Sequence, residues 1–236
     1  MSNGTLYIVA SPIGNLEDMT FRAVRVLKES SFIICEDTRQ SRKLLNHYGI
    51  TDKKVYSFHS HSGGNSLSFF IDKIISEGQA AYLTDCGTPC VSDPGSKLVS
   101  ASRTKDIKVI PVPGASALTA AASVTGFAGK ELYFAGFLSK KPGKRINELN
   151  RTKNISATII IYESPHRIRK LLEALSLVFP EKDIMIGREI SKIHEELLRG
   201  KASELINTKF TEKGEFVIAV DNNDASTPEE FEDFTR

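Results

Sequence analysis

The chain has 236 residues, of which 40% are hydrophobic and 25% are charged, a composition typical of a globular protein. No apolar run approaches the roughly 20 residues of a membrane-spanning helix, and the N-terminus lacks the basic segment of a signal peptide. The three cysteines, Cys35, Cys86 and Cys90, do not suit a disulfide framework, so we expect a reducing, cytoplasmic environment.

The net charge of +2 conceals an uneven distribution of charge along the chain. Residues 140–170 contain nine Lys or Arg and only two acids, whereas residues 221–236 contain six acids and one Arg. A basic segment of this kind fits a polyanionic partner such as RNA, and it fits a solvated charged face equally well.

The first half of the chain alternates short β-rich apolar runs with longer segments of helical period. This spacing predicts a βαβ-type domain with a largely parallel sheet. The predicted strands are residues 6–10, 32–35, 55–58, 80–83 and 108–112, with helices at 21–30, 39–49, 66–78 and 95–103.

The second half begins after Pro113-Gly114 with a helix of small residues at 115–124. Its predicted strands are less evenly spaced, which favours a mixed sheet. These strands are residues 132–137, 158–162, 183–187 and 215–220, with a helix at 166–179. We therefore predict an N-terminal α/β domain at 1–114, a C-terminal α/β domain at 115–222 and a disordered acidic tail at 223–236.

Four strands of the first half are followed by loops rich in Gly, Pro and small polar residues. Ligands of open α/β sheets collect beyond the carboxyl ends of the strands, where such loops let backbone groups approach them closely. Four such loops in one sheet therefore predict a binding crevice. They are residues 11–16, 36–39, 84–95 and 113–117.

Common nucleotide and hydrolase fingerprints are absent, since the sequence contains no GxGxxG, GxxxxGK[ST] or GxSxG. Zinc ligands could come from Cys86, Cys90, His59 and His61, but their spacings are not those of a structural zinc site. We expect no metal, and we interpret Cys86 and Cys90 as buried, unreactive thiols.

Several motifs in chain order resemble one branch of the tetrapyrrole-methylase superfamily, over about residues 6–220. That branch comprises bacterial methyltransferases that act on the 2′-hydroxyl of a cytidine in the decoding centre of small-subunit (16S) ribosomal RNA. TDCGTPCVSDPG and YESPHR are specific for this branch, whereas PGASA alone is a weak signal. The other motifs are VASPIGNLEDMT, EDTR, YFAGFL, REISKIHEE and GEFVIAV.

The resemblance implies two α/β domains with S-adenosylmethionine in the cleft between them, and a homodimer. Cys86 and Cys90 stand where members of the family usually have a small and an aliphatic residue, a difference that we expect to be tolerated. The residues that the resemblance places against the cofactor are Pro12, Asp85, Cys86, Gly87, Pro89, Ser116, Ala117 and Tyr162.

A ribose hydroxyl is a poor nucleophile, so a nearby base would assist its methylation. The candidates are Glu163, Glu189 and His166, although a salt-bridge network would explain these residues equally well. We expect RNA phosphates to be held by Lys140, Lys141, Lys144, Arg145, Arg167, Arg169 and Lys170.

Two other functions are compatible with such a fold. A tetrapyrrole or corrin ring C-methyltransferase also binds a polyanion, and only the branch-specific motifs argue against it. A non-catalytic RNA- or ribosome-binding module would not need to keep the strand-end loops, and thermal stabilisation by S-adenosylmethionine would separate it from an enzyme.

Overall fold

A computed structural model describes residues 3–59, 64–91, 93, 95–127 and 129–223. The chain divides into two compact units, with Met1–Ser116 in unit 1 and the residues from Ala117 onward in unit 2. The boundary expected from the sequence lies two residues earlier. Of the predicted acidic tail, only Asn223 falls within the described residues. No helix in the described part of the chain is both long and apolar enough to span a membrane.

Unit 1 is a five-stranded parallel sheet with the strand order β3-β2-β4-β1-β5. The sequence predicts this parallel α/β architecture correctly. Its strands are β1 Thr5–Val9, β2 Phe32–Cys35, β3 Lys54–Ser57, β4 Gln79–Leu83 and β5 Lys108–Val112. Its helices are α1 Phe21–Glu29, α2 Thr38–His47, α3 Gly64–Glu77 and α4 Gly95–Arg103, with a short 3-10 turn at Leu16–Asp18.

The sheet of unit 1 is buried on both faces, which explains why its strands are nearly continuous apolar runs. Alternate residues of β2 point to opposite faces, so Ile33 packs with Leu27 and Leu45 while Ile34 packs with Phe70. Because all strands are parallel, their carboxyl ends lie along one edge, and the loops singled out above lie there together.

Unit 2 is a mixed sheet with the strand order β6-β7-β10-β8-β9, as expected. Only β6 and β7 are parallel neighbours, and the other pairs are antiparallel. The strands are β6 Leu132–Phe137, β7 Thr158–Glu163, β8 Asp183–Arg188, β9 Glu196–Lys201 and β10 Phe216–Asp221. The helices are α5 Ala117–Val124, α6 Pro142–Thr152, α7 Ile168–Val178 and α8 Ala202–Leu205.

Different helices cover the two faces of this second sheet. The apolar side of α7, including Leu171 and Leu175, packs on one face together with residues of α6 and α8. On the other face, the alanines of α5 pack closely against β7, β8 and β10, and Ala121 is fully buried. The small side chains of α5 allow this close approach, which the sequence suggested.

Three elements of unit 2 were not predicted, namely α6, β9 and the four-residue α8, and the first two of them have polar sequences. Helix α6 buries only Arg145, Leu149 and Thr152, so it lacks a strong apolar stripe. Strand β9 has the sequence ELLRGK and pairs only with β8, at the edge of the sheet. In both elements tertiary packing, and not local apolar periodicity, decides the structure.

Candidate functional site

The loops at the carboxyl edge of unit 1 are bound to one another through backbone atoms. The Ser11 amide, just after β1, donates a hydrogen bond of 2.9 Å to the Gly87 carbonyl in the loop after β4. In the same loop, Thr88 Oγ1 donates a bond of 3.1 Å to the Ala115 carbonyl after β5. Three strand ends therefore form one connected rim.

Two glycines of this rim cannot be replaced without strain. Gly87 has a φ of +75°, and a Cβ atom there would lie 3.2 Å from Ile13 Cγ2. A Cβ atom on Gly114 would lie 2.9 Å from Ala10 Cβ, closer than such contacts normally come. The buried hydroxyl of Ser11 has no hydrogen-bond partner within the described residues. The rim thus has the close backbone packing and the unpaired polar atom that fit a ligand held largely by main-chain groups.

The residues expected to contact the cofactor differ in exposure. Pro12, Gly87 and Pro89 are buried, whereas Asp85 and Cys86 are exposed. Ser116 and Ala117, the latter at the start of α5, are half-buried. Our interpretation of Cys86 as a buried thiol is wrong, because Cys86 is exposed, with its Sγ 3.8 Å from the Ile13 carbonyl oxygen, and Cys90 is half-buried.

Two carboxylates that the sequence analysis did not name as site residues, those of Glu36 and Asp37, lie beside this rim. Glu36 and Asp37 directly follow β2, and Asp85 Oδ1 accepts a 3.3 Å hydrogen bond from the Asp37 amide. Hydrogen bonds from the side chain and the backbone amide of Arg39 lower the pKa of Asp37 to about 2. Burial, with the nearby charges of Asp93 and Asp85, raises the pKa of Glu36 to about 7. The position of Glu36 after a buried strand was the only available signal in the sequence.

In unit 2, Tyr162 lies near the end of β7 within an aromatic group. Its ring centroid is 4.9 Å from that of Phe134 and 5.8 Å from that of Phe137, both in edge-to-face arrangement. Tyr162 is half-buried, and Phe137 is 58% exposed. The sheet face that α5 covers therefore carries a partly exposed aromatic group, formed by Phe134, Phe137 and Tyr162, near the end of β7.

Glu163, one of the predicted bases, is instead part of a buried ion pair. Its side chain has no exposed surface, and its Oε2 atom accepts a 2.9 Å hydrogen bond from Arg167 Nη2. Its Oε1 atom accepts a 2.8 Å bond from the Ser164 amide. The same Arg167 nitrogen donates to the Leu138 carbonyl at 2.6 Å. Glu163 and Arg167 therefore bind each other and neighbouring backbone groups, and their roles as a base and as a phosphate contact stay predictions that these contacts do not favour.

The two other predicted bases have different surroundings. Glu189 Oε1 accepts hydrogen bonds from Lys192 Nζ and from the Glu215 amide, both at 2.8 Å. Burial opposes ionisation of Glu189, but these bonds outweigh it and lower its pKa. His166 is exposed at the start of the segment that leads into α7. A carboxylate whose pKa is lowered is a weak base, so Glu189 is a poor candidate.

The predicted phosphate contacts separate into exposed lysines and engaged arginines. Arg145 is only 2% exposed, and its guanidinium donates to the carbonyls of Ser139, Lys140 and Lys170 at 3.2, 3.3 and 2.8 Å. A direct contact of Arg145 with RNA was therefore predicted wrongly. Lys140, Lys141, Lys144 and Lys170 are all exposed.

Arg169 is also engaged within unit 2. Its Nε atom donates a 2.6 Å hydrogen bond to Glu212 Oε1, and its Nη1 atom donates to the Ile206 carbonyl. The guanidinium lies 4.3 Å from the ring centroid of Phe210. These contacts fix the Arg169 side chain against other residues of unit 2. The exposed lysines are therefore the stronger candidates for phosphate binding.

In the part of the chain that the structure describes, no three His, Cys, Asp or Glu side chains form a group suited to a metal ion. His59 belongs to this part, whereas His61 lies outside it.

Residues 5–206 match the family model of the Tetrapyrrole (Corrin/Porphyrin) Methylases. The chain is 44% identical over 222 residues to "Ribosomal RNA small subunit methyltransferase I" of Halalkalibacterium halodurans, covering 93% of this chain and 76% of the relative. It is 40% identical to the protein of the same name from Leptospira biflexa, covering 94% of this chain and 93% of that relative.

Solved structures with low sequence identity share the fold. A diphthine synthase matches with a TM-score of 0.74 at 15% identity, covering 92% of this chain and 90% of that chain. The uroporphyrin-III C-methyl transferase of Thermus thermophilus, solved in complex with S-adenyl homocysteine, matches with a TM-score of 0.65 at 16% identity. That match covers 93% of this chain and 98% of the other.

Proposed function

The chain belongs to the tetrapyrrole (corrin/porphyrin) methylase family, and from this membership and its relatives we propose that it methylates small-subunit ribosomal RNA. Its cofactor is S-adenosylmethionine. The structural observation that carries the proposal is the connected rim of loops in unit 1, where backbone atoms of three strand ends are bound together. A module without chemistry would not need this rim.

The residues present fit the cofactor. S-adenosylmethionine, when bound, supplies a methyl group on a positively charged sulfur that is already activated for transfer. The proposed contacts in unit 1 are main-chain groups near Pro12, Gly87 and Ser116, together with Asp85, Cys86 and Pro89. Gly87, which no other residue could replace without strain, and the unpaired Ser11 hydroxyl support a tight, specific contact at the rim.

Unit 2 provides the proposed RNA-binding surface. Lys140, Lys141, Lys144 and Lys170 are exposed, and the buried Arg145 binds the carbonyls of both Lys140 and Lys170. The chain segments that carry these lysines are therefore held close together. A cluster of lysines on a fixed scaffold suits the phosphate backbone of RNA, whose binding depends on such positive charges.

We further propose the 2′-hydroxyl of a decoding-centre cytidine as the methyl acceptor, and a cytoplasmic homodimer as the working form. The branch-specific motifs TDCGTPCVSDPG and YESPHR support the acceptor. The three cysteines, none of which forms a disulfide in the described structure, suit a reducing compartment. The competing acceptor is a carbon of a tetrapyrrole ring, as in the structural relative from Thermus thermophilus.

The test is methyl transfer from radiolabelled S-adenosylmethionine to small ribosomal subunits that lack the modification, followed by nuclease mapping of the label. We expect label in a 2′-O-methylcytidine. Label in a base or at another nucleotide would retain the enzyme class and reject the acceptor. Transfer to a tetrapyrrole with none to subunits or their RNA would reject the proposed function.

A further inference from the structure

Glu36 has an unusual environment for a carboxylate at the edge of a sheet. It follows β2 directly, at the same edge as the Asp85–Pro89 loop, and it is half-buried. Its Oε1 atom is buried and has no hydrogen-bond partner within the described residues. An unsatisfied carboxylate oxygen costs free energy, so such an atom in a folded protein calls for a functional explanation.

The groups that surround Glu36 are acidic or neutral. Asp85 follows β4, and Asp93 precedes α4, where its Oδ1 atom accepts a 2.8 Å hydrogen bond from the Gly95 amide. Tyr82, on β4, is completely buried, and its hydroxyl lies next to the Asp93 carboxylate. Burial raises the pKa of Tyr82 and of Cys90, so both stay neutral.

Gly95 makes this arrangement possible. A Cβ atom at position 95 would lie 2.4 Å from Tyr82 Cε1 and 3.0 Å from Asp93 Oδ1. The glycine thus lets the start of α4 approach the Tyr82 ring, with Asp93 next to it. Among the described residues, the charges that act on Glu36 come from the carboxylates of Asp93 and Asp85, and Tyr82 lies nearby, so the negative charge of Glu36 itself is destabilised.

Unlike Glu36, the carboxylates of Glu163, Glu189 and Asp37 are each paired with a cation. Glu163 has both oxygens bonded inside unit 2, and Glu189 is bound by Lys192. Asp37 is paired with Arg39. A general base works best when its pKa lies near the working pH, and burial with the charges of Asp93 and Asp85 brings Glu36 to about 7.

We propose that Glu36 is the general base that takes the proton from the RNA hydroxyl during methyl transfer, an inference that rests on the proposed function. As the hydroxyl oxygen forms its bond to the methyl carbon, the bond from that carbon to sulfur breaks. The O–H proton passes to the Glu36 carboxylate, and the electron pair of the broken bond stays on sulfur in S-adenosylhomocysteine. Glu36 then returns the proton to solvent.

The experiment compares wild type with Glu36→Gln, Asp93→Asn and the control Glu17→Gln, which alters an exposed acid of the same unit. Single-turnover transfer to unmodified small subunits is measured between about pH 5 and pH 9. We expect the wild-type rate to rise with a midpoint near 7. Glu36→Gln should be slower by about 100-fold or more and lose this dependence, with unchanged affinity for S-adenosylhomocysteine.

Asp93→Asn removes one negative charge near Glu36 and keeps an acceptor for the Gly95 amide, so it should move the midpoint to lower pH. A readout independent of activity is the titration of the labelled Glu36 carboxyl by NMR in the ligand-free protein, which Asp93→Asn should shift in the same direction. Glu17→Gln should match wild type in every measurement.

The inference is overturned if Glu36→Gln transfers methyl groups at the wild-type rate, or if the Glu36 carboxyl titrates as an ordinary exposed glutamate. Both results leave the proposed function intact, because wild type remains active. If wild type transfers no label to ribosomal RNA, the proposed function fails and the inference fails with it. Thermal melting confirms that each variant is folded.

Discussion

At the scale of single residues, Arg145 shows how folding can divert a charged group from a ligand to the backbone. Its guanidinium, with five donors in a fixed fork, binds three carbonyls from two chain segments. It thereby holds the segment before α6 against α7. A charge count along the chain cannot distinguish this buried arginine from the exposed lysines beside it.

Replacing Arg145 by Met should lower the free energy of unfolding by about 2–3 kcal/mol, because three partly buried hydrogen bonds from a buried guanidinium to backbone carbonyls are lost. The neighbouring Lys144→Met is the matched control, since Lys144 is exposed, and it should change stability by less than about 0.5 kcal/mol. Urea denaturation measures both. Equal stability of the two variants would contradict a structural role for Arg145.

Glu36 should also affect how stability depends on pH. Its pKa in the folded protein is raised from 4.5 to about 7, so folding favours the protonated form. The associated stability is fully present at a pH below the unfolded value and is lost as pH rises through 7. In Glu36→Gln the side chain cannot ionise, so this decrease in stability with rising pH does not occur.

We therefore expect Glu36→Gln to be more stable than wild type at pH 8, by on the order of 1 kcal/mol because solvent screens this half-buried group. The two proteins should converge toward pH 4. Unfolding curves at several pH values measure the difference. A variant less stable than wild type at pH 8 would show that the Glu36 charge is stabilised in the fold.

At the scale of secondary-structure elements, the pair of Glu163 and Arg167 joins the end of β7 to the start of α7. Arg167 also reaches the Leu138 carbonyl beyond β6, so one guanidinium connects two strand ends and a helix. The pair lies within YESPHR, a motif specific to this branch. In the described structure this pair holds the end of β7, the segment after β6 and the start of α7 together.

Glu163→Gln should destabilise the protein by about 3–5 kcal/mol, because it leaves the Arg167 charge buried without its partner. The control Glu173→Gln changes an exposed acid on α7 and should have little effect. Chemical denaturation gives both values. If Glu163→Gln kept full stability and lost only methyl transfer, Glu163 would have to be reconsidered as a base.

The loop after β4 depends on the left-handed backbone of Gly87. Gly87→Ala should weaken binding of S-adenosylhomocysteine about tenfold, since strain of about 1–2 kcal/mol and the contact with Ile13 displace the loop. Gly143→Ala, in α6, has open space around the new Cβ and should bind normally. Calorimetric titration compares them, and unchanged affinity in Gly87→Ala would exclude this loop from the cofactor site.

At the scale of the whole molecule, the two units have different roles in the proposed function. Unit 1 carries the rim of strand-end loops and Glu36, whereas unit 2 carries the exposed lysines and the aromatic group around Tyr162. The net charge of +2 is small, so attraction to RNA must come from local clusters of charge.

The four lysines at 140, 141, 144 and 170 should therefore account for much of the salt dependence of RNA binding. Replacing all four by Gln should reduce the slope of log K against log salt by about 3, since each phosphate contact contributes about 0.7–0.9. Replacing four exposed lysines of unit 1 is the control. An unchanged slope would place the RNA on another surface.

Local sequence patterns were sufficient for the architecture of each unit. Apolar strands at regular intervals predicted the parallel sheet of unit 1, and irregular spacing predicted the mixed sheet of unit 2. The resemblance of the strand-end motifs to a known family indicated the methyltransferase class and the cofactor. The architecture could be predicted because strand formation and turn chemistry depend on residues close together in the chain.

The tertiary structure alone decided which polar groups are available for function. Glu163, Arg145 and Arg167 form hydrogen bonds with neighbouring groups. Among the described residues, Glu36 Oε1 has no hydrogen-bond partner, and the charged groups near it are carboxylates from distant parts of the sequence. Helix α6 and strand β9 likewise form through packing that no local periodicity reveals. Burial and pKa are set by atoms that come together only after folding, so sequence patterns could propose the charged residues of the site but could not assign their roles.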